Sequence, residues 1–116
     1  MILFGAPATV VQASASAAWD CPVGDLCVWS GSNGTGSRCS WSNADSDWWS
    51  GDIVCSWSKT TSMKSFWNRG TNTSYPGVHL YLGTDYNYEW FCAKRGVQYN
   101  AEGGMRSHRW ETGSCS

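Results

Sequence analysis

The amino-acid sequence predicts an all-β sandwich of two Greek-key motifs that is stabilised by disulfide bonds. Short apolar segments alternate with clusters of Gly, Asn and Ser, and helical periodicity never persists beyond about one turn. Two pairs of segments resemble each other along the chain, which indicates an internal repeat. The chain of 116 residues contains six Cys, and this even number suits three disulfides in an oxidising compartment.

The clearest strand signals lie near the start of each half of the chain. Residues 26–29 are apolar and β-prone, and residues 78–82 alternate. Tyr86, Tyr88 and Trp90 also alternate with polar residues, which would give a strand one aromatic and one polar face. Turn-forming clusters occupy residues 30–36, 69–74 and 102–104.

The internal repeat predicts the arrangement of these strands. Residues 27–33 can be laid over residues 79–85, since each segment is a strand that enters a polar turn containing Gly. Residues 62–67 can be laid over residues 104–110, since both contain a Met, a basic residue, a Ser and then a bulky aromatic. Two copies of one strand–turn–strand–loop–strand unit predict two Greek keys packed together.

Length and composition exclude several classes of protein. A chain of 116 residues accommodates one domain and not a multi-domain enzyme. Charged residues are only 15% and the net charge is −1, which argues against a nucleic-acid partner bound through its phosphates. A hydrophobic content of 41% argues against disorder.

The N-terminal segment predicts secretion. Residues 1–17 are uncharged, and small residues at Ala15 and Ala17 are typical of the end of a signal peptide. We interpret residues 1–17 as a signal peptide remnant, with a disordered apolar tail as the alternative, and residues 18–116 as a single domain. The segment is too short to span a membrane, and we expect no membrane partner.

The Cys residues predict disulfides and not a metal site. Cys21 and Cys27 would close a tight loop, whereas the spacing leaves the other pairings open. The chain has no Cys-x-x-Cys pair and both His are remote from any Cys cluster in sequence, so we expect no zinc. The six disulfide candidates are Cys21, Cys27, Cys39, Cys55, Cys92 and Cys115.

Two motifs carry a family resemblance. Residues 21–29 read Cys-Pro-x-Gly-x-x-Cys followed by an aliphatic and an aromatic residue, and residues 105–110 close the second repeat. These motifs resemble the secreted bacterial peptidase inhibitors with a βγ-crystallin-like fold, over residues 19–110. The resemblance implies an extracellular inhibitor of metallopeptidases that is not itself an enzyme.

The resemblance also implies an inhibitory loop in the second half of the chain. In this family the loop is clamped by a short disulfide, but Cys92 has no Cys nearby and would bond at long range, with Cys115 as a candidate. The alternative for this segment is an ordinary β-hairpin whose aromatic face packs inward. The loop residues would be Tyr86, Asn87, Tyr88, Glu89, Trp90 and Phe91.

The nine Trp residues suggest a second class of function. We expect Trp29, Trp67 and Trp110, which lie in the repeated segments, to be core residues. Four others lie in a Ser- and Asp-rich stretch and are candidates for exposed binding aromatics: Trp41, Trp48, Trp49 and Trp57. They support an alternative in which the protein binds polysaccharide or cell wall, and a small secreted antimicrobial protein or toxin is a third possibility. We expect a monomer in each case.

Catalytic and metal chemistry find little support in the sequence. The chain has none of the common motifs for nucleophilic, metallopeptidase or phosphate chemistry, and we expect no cofactor. Lys64 and Arg106 stand where a crystallin-type calcium site needs a ligand, so we expect no such site. Asp45, Asp47 and Asp52 would either bind a hard cation weakly or be solvated loop charges.

Overall fold

A computed structural model describes residues 17–115, and the predicted signal segment lies outside them apart from Ala17. Within this range no helix is long and apolar enough to cross a membrane. The all-β prediction is confirmed, with two short 3-10 helices at Ser32–Gly34 and Ser56–Lys59. The strands are β1 (Leu26–Trp29), β2 (Arg38–Trp41), β3 (Met63–Asn68), β4 (Gly77–Tyr81), β5 (Glu89–Lys94), β6 (Gln98–Gly103) and β7 (Ser107–Glu111).

The strands form two antiparallel sheets that exchange strands. One sheet has the order β2-β1-β3-β6 and the other β5-β4-β7. Each half of the chain therefore builds a hairpin with a third strand beside it, and β6 of the second half crosses to pair with β3 of the first. In return, Asp45 of the first half forms an isolated antiparallel bridge with His108 in β7. The prediction of a disulfide-stabilised β-sandwich of two Greek keys packed together is confirmed.

The main core lies between the two sheets. In β1, Leu26 and Val28 are fully buried there, and Val78 and Leu80 in β4 face them from the other sheet. This follows from the period of two, because alternate side chains of a strand point to the same face. Phe66 in β3 adds the largest fully buried side chain contributed by a strand.

The other face of β1 has a smaller cluster of its own. The N-terminal segment folds over this face, where Trp19 packs edge-on against Trp29 with ring centroids 5.3 Å apart. The predicted Cys21–Cys27 disulfide is confirmed and lies in the same cluster. Trp29 is buried as predicted, whereas Trp67 and Trp110 are only half-buried.

One Ser in each half closes the turn between the first two strands. In the first half, the Ser65 hydroxyl donates to the carbonyl of Gly31 at 2.7 Å and accepts from the amide of Gly34 at 2.9 Å. Asn33 and Gly34 both have left-handed backbone, with φ of 58° and 66°. A Cβ at Gly34 would lie 2.5 Å from the backbone nitrogen of Trp19, so this position requires glycine.

The second half repeats this closure at matching positions. The Ser107 hydroxyl donates to the carbonyl of Gly83 at 2.6 Å and accepts from the amide of Tyr86 at 3.2 Å. Asp85 and Tyr86 are again left-handed, with φ of 57° and 61°. The sequence repeat therefore marks the residues that fold each hairpin back on its own sheet.

We expect Ser65→Ala to destabilise the protein by about 1–3 kcal/mol, because a buried backbone donor and an acceptor would lose their partner. Urea unfolding of the wild type and of Ser65→Ala measures this difference. Ser42→Ala is the matched control, since Ser42 is exposed. Equal unfolding midpoints for the two variants would contradict a structural role for the Ser65 hydroxyl.

Candidate functional site

A buried network joins the segment after β2 to strand β7. Trp48 is fully buried, and its ring stacks on that of Trp41 with centroids 4.6 Å apart. Its indole nitrogen donates to Nδ1 of His108 at 2.8 Å. Nε2 of His108 lies 3.0 Å from the carbonyl of Asn43, to which it donates. Trp41 and Trp48 are therefore core residues, and the prediction that they are exposed binding aromatics is wrong.

Trp49 and Trp57 do not form an exposed binding row either. Both are half-buried and pack against the main core. The guanidinium of Arg106 lies 3.5 Å from the ring centroid of Trp49, whose indole nitrogen donates to Ser58 at 3.1 Å. In an extended segment neighbouring side chains would point to opposite faces, but residues 48–49 form a turn. All nine Trp lie in the described range, and each of them is buried or half-buried.

His108 is neutral in the folded protein. Burial lowers its pKa to about 3, although its hydrogen bond to the carbonyl of Asn43 acts in the opposite direction. A neutral ring with the proton on Nε2 satisfies both contacts, because Nδ1 then accepts from Trp48 and Nε2 donates to Asn43.

We therefore expect stability to decrease as the pH falls from 6.5 towards about pH 5. In this range the unfolded chain binds a proton at His108 that the folded chain excludes, which costs about 1.4 kcal/mol per pH unit. Unfolding midpoints measured across this range test the slope. His108→Gln should remove most of this slope, so an unchanged slope in His108→Gln would contradict this assignment.

The carboxylates of this region stabilise the fold. Asp45 accepts from the Trp41 indole nitrogen at 2.9 Å and from the Asp47 amide at 3.0 Å. Asp47 accepts from the amide of Trp49 at 3.0 Å and from the Arg106 guanidinium at 3.0 Å, and these two groups, in that order, lower its pKa. Both carboxylates therefore have protein donors and are not simply solvated loop charges.

One group of metal-ligating residue types occurs within residues 17–115, at His79, Cys92 and Cys115. The two Cys are bonded to each other, so the long-range pairing named as a candidate is confirmed. The remaining pair, Cys39–Cys55, completes three disulfides and leaves no free thiol.

The predicted inhibitory loop divides into a tight turn and the start of a strand. Tyr86 and Tyr88 have left-handed backbone, with φ of 61° and 63°, so the expected strand alternation through this segment is wrong. Strand β5 begins at Glu89, and Trp90 and Phe91 are half-buried against the main core. This matches the alternative of an inward-packed hairpin, except that Tyr88 is 78% exposed.

Contacts on both sides hold this turn in place. The ring of Tyr86 packs edge-on against Tyr81 at 5.7 Å, and the guanidinium of Arg109 lies 4.5 Å from its centroid. The amides of Leu82 and Gly83 donate across the turn to the carbonyls of residues 88 and 87. The turn is therefore a braced projection that presents Tyr88.

A second loop, which the sequence patterns did not predict, lies beside this turn. Ile53 and Val54 are 44% and 46% exposed, and the other residues of this loop, 50–52, are Ser, Gly and Asp. A groove between the two loops is lined by residues that include Ile53 and Tyr86, and the amide of Asp85 donates to the carbonyl of Ser46 at 2.9 Å. The sequence signal that could have identified this loop is its two adjacent β-branched residues before a Cys, in a Ser- and Asp-rich stretch.

We call residues 50–54 and 84–88 together the loop face. Loops positioned by a rigid scaffold are where binding residues concentrate, so the loop face is the candidate functional site. Comparison with protein families matches residues 14–93, more than half of the chain, to peptidase inhibitor family I36. The chain belongs to this family of inhibitors, which are not themselves enzymes. No match was found among curated proteins or solved structures.

Proposed function

We propose that the protein is a secreted, monomeric inhibitor of an extracellular metallopeptidase and that it acts through the loop face. Membership of peptidase inhibitor family I36 supports a peptidase as the partner. The observation that carries the proposal is that exposed apolar side chains occur on two adjacent, braced loops. Thermolysin-type clefts favour a bulky apolar side chain just after the scissile bond, and Ile53, Val54 and Tyr88 are such side chains.

Rigidity of the loop face supports inhibition over simple cleavage. A loop already held in its bound shape loses less conformational entropy on binding, so more of the contact energy appears as affinity. The turn at residues 84–88 is closed by the Ser107 hydroxyl. Residues 50–54 lie between the fully buried Trp48 and Cys55, which anchor the two ends of this loop.

The polysaccharide alternative has little support. Sugar-binding modules stack ligands on flat exposed aromatic rings, whereas every Trp here is buried or half-buried. Among the aromatic residues that the structure describes, Tyr88 has the most exposed side chain.

Titration of the mature protein against a thermolysin-type peptidase tests the proposal. We expect stoichiometric loss of peptidase activity at micromolar inhibitor, with serine and cysteine peptidases unaffected as controls. Absence of inhibition across several metallopeptidases would overturn the proposal. Inhibition of the serine peptidase alone would keep the family role and contradict the proposed target class.

A further inference from the structure

We propose that residues 51–54 are the segment that enters the peptidase cleft in the manner of a substrate, with Ile53 as the side chain after the scissile bond. This inference rests on the proposed inhibition of a metallopeptidase. It differs from the sequence expectation, in which Tyr86–Phe91 would enter the cleft.

The backbone of residues 51–54 is free to pair with a partner. Over the part of the chain that the structure describes, no hydrogen bond engages the backbone nitrogen or oxygen atoms of these four residues. A substrate-like segment needs such free groups, because peptidases bind the substrate backbone as an added strand. In the rival loop, the carbonyls of Asn87 and Tyr88 accept internal hydrogen bonds, and Glu89 and Phe91 pair with β4.

The two ends of the segment are fixed while its middle is exposed. The amide of Cys55 donates to the carbonyl of Trp48 at 2.7 Å, which closes the base of the loop. Asp47 holds the Trp48–Ser50 turn through the amide of Trp49 and the hydroxyl of Ser50. Between these anchors, Ile53 and Val54 are the large apolar side chains that face solvent.

The disulfide connectivity favours residues 51–54 over residues 86–91 as the segment that the peptidase binds and cuts slowly. A cut at the Asp52–Ile53 bond falls inside the loop closed by Cys39–Cys55, so the two pieces stay covalently linked and the new N-terminus lies two residues before Cys55. The new carboxylate lies four residues after Trp48, whose carbonyl accepts from the amide of Cys55. The peptidase would hydrolyse one amide with one water, and the amine and carboxylate formed would remain beside each other. Release of product would then be slow, as inhibition requires.

A cut within residues 86–91 would not be retained in this way. Cys92–Cys115 lies wholly after that segment, whereas the other two disulfides lie wholly before it. The two pieces would then be held only by strand pairing and packing between the sheets.

Ile53→Ser and Tyr88→Ala variants, compared with the wild type on a thermolysin-type peptidase, distinguish the two loops. We expect the inhibition constant of Ile53→Ser to rise roughly 10- to 100-fold, since burial of one large apolar side chain in a pocket has that effect. Val23→Ser, a matched loss of an exposed β-branched side chain outside the loop face, should change it by less than about threefold, and Tyr88→Ala should raise it less than Ile53→Ser does. The three residues are exposed, so unchanged melting temperatures should verify that all three variants fold.

Slow cleavage provides a second readout. After long incubation of the wild type with the peptidase, we expect one species without reductant and two fragments with it, the new N-terminus being Ile53. A new N-terminus within residues 87–92, or loss of inhibition in Tyr88→Ala but not Ile53→Ser, would overturn the inference while leaving the proposed function intact. A wild type that inhibits no metallopeptidase would overturn both.

Discussion

Replacement of Trp48 by alanine is expected to lower the free energy of unfolding by about 3–5 kcal/mol, the usual cost of truncating a fully buried Trp. This would remove a large part of the roughly 5–15 kcal/mol that stabilises a domain of this size. The stacked partner Trp41 would face a cavity, and Nδ1 of His108 would lose its donor. Urea unfolding followed by far-UV circular dichroism measures the change.

Two further variants separate packing from hydrogen bonding. Trp48→Phe keeps an aromatic ring but removes the indole N–H, so we expect a loss of about 1–3 kcal/mol from the unpaired Nδ1 of His108, in addition to any loss of packing. Trp67→Ala removes an equally large side chain that is only half-buried and donates no hydrogen bond. If Trp67→Ala were as destabilising as Trp48→Ala, the central role of the Trp48 network would be contradicted.

Removal of the Cys39–Cys55 disulfide, as Cys39→Ala with Cys55→Ala, is the second large expected effect. The bond spans 16 residues, for which chain entropy predicts a loss of roughly 3 kcal/mol. The variant should also change from an inhibitor into a substrate, because a cut at Ile53 would then separate two unlinked pieces. Melting temperature and the persistence of inhibition after long incubation measure the two effects.

The Cys21–Cys27 disulfide offers the matched control. It spans only 6 residues, so its removal should cost less, roughly 2 kcal/mol, and it encloses no part of the loop face. The double variant Cys21→Ala with Cys27→Ala should therefore remain a durable inhibitor at a temperature where both variants are folded. If inhibition persisted equally long in the two disulfide variants, retention of the cut ends by Cys39–Cys55 would be contradicted.

Much of the fold follows from local patterns in the sequence. Residues 26–29 and 78–82 are mostly apolar and bounded by turn residues. The first range forms strand β1 as predicted, and the second forms β4 with each end one residue earlier than predicted. The similarity of the segments that contain Ser65 and Ser107 predicted two Greek keys, and in the structure each Ser hydroxyl closes the same turn in its own half. The Cys21–Cys27 pair was predictable because the two residues are close in sequence.

The candidate site was less predictable, because exposure depends on what packs from elsewhere in the chain. Trp48 is surrounded by polar residues in sequence, yet it is buried because β7 supplies His108 from 60 residues away. Tyr86 and Tyr88 alternate like strand residues, but the Ser107 hydroxyl and the turn hydrogen bonds hold them in left-handed backbone. Ile53 is apolar, yet nothing in the described structure fully covers it.

The sequence by itself therefore determined the fold class, the repeat and the family of this protein, since each depends on residue types at fixed local spacing. The tertiary structure decided which aromatics are core and which loops are exposed. The physical reason is that the burial of a side chain depends on which segments from elsewhere in the chain pack over it. It was this packing that turned Trp41 and Trp48 inward and left Ile53, Val54 and Tyr88 facing solvent.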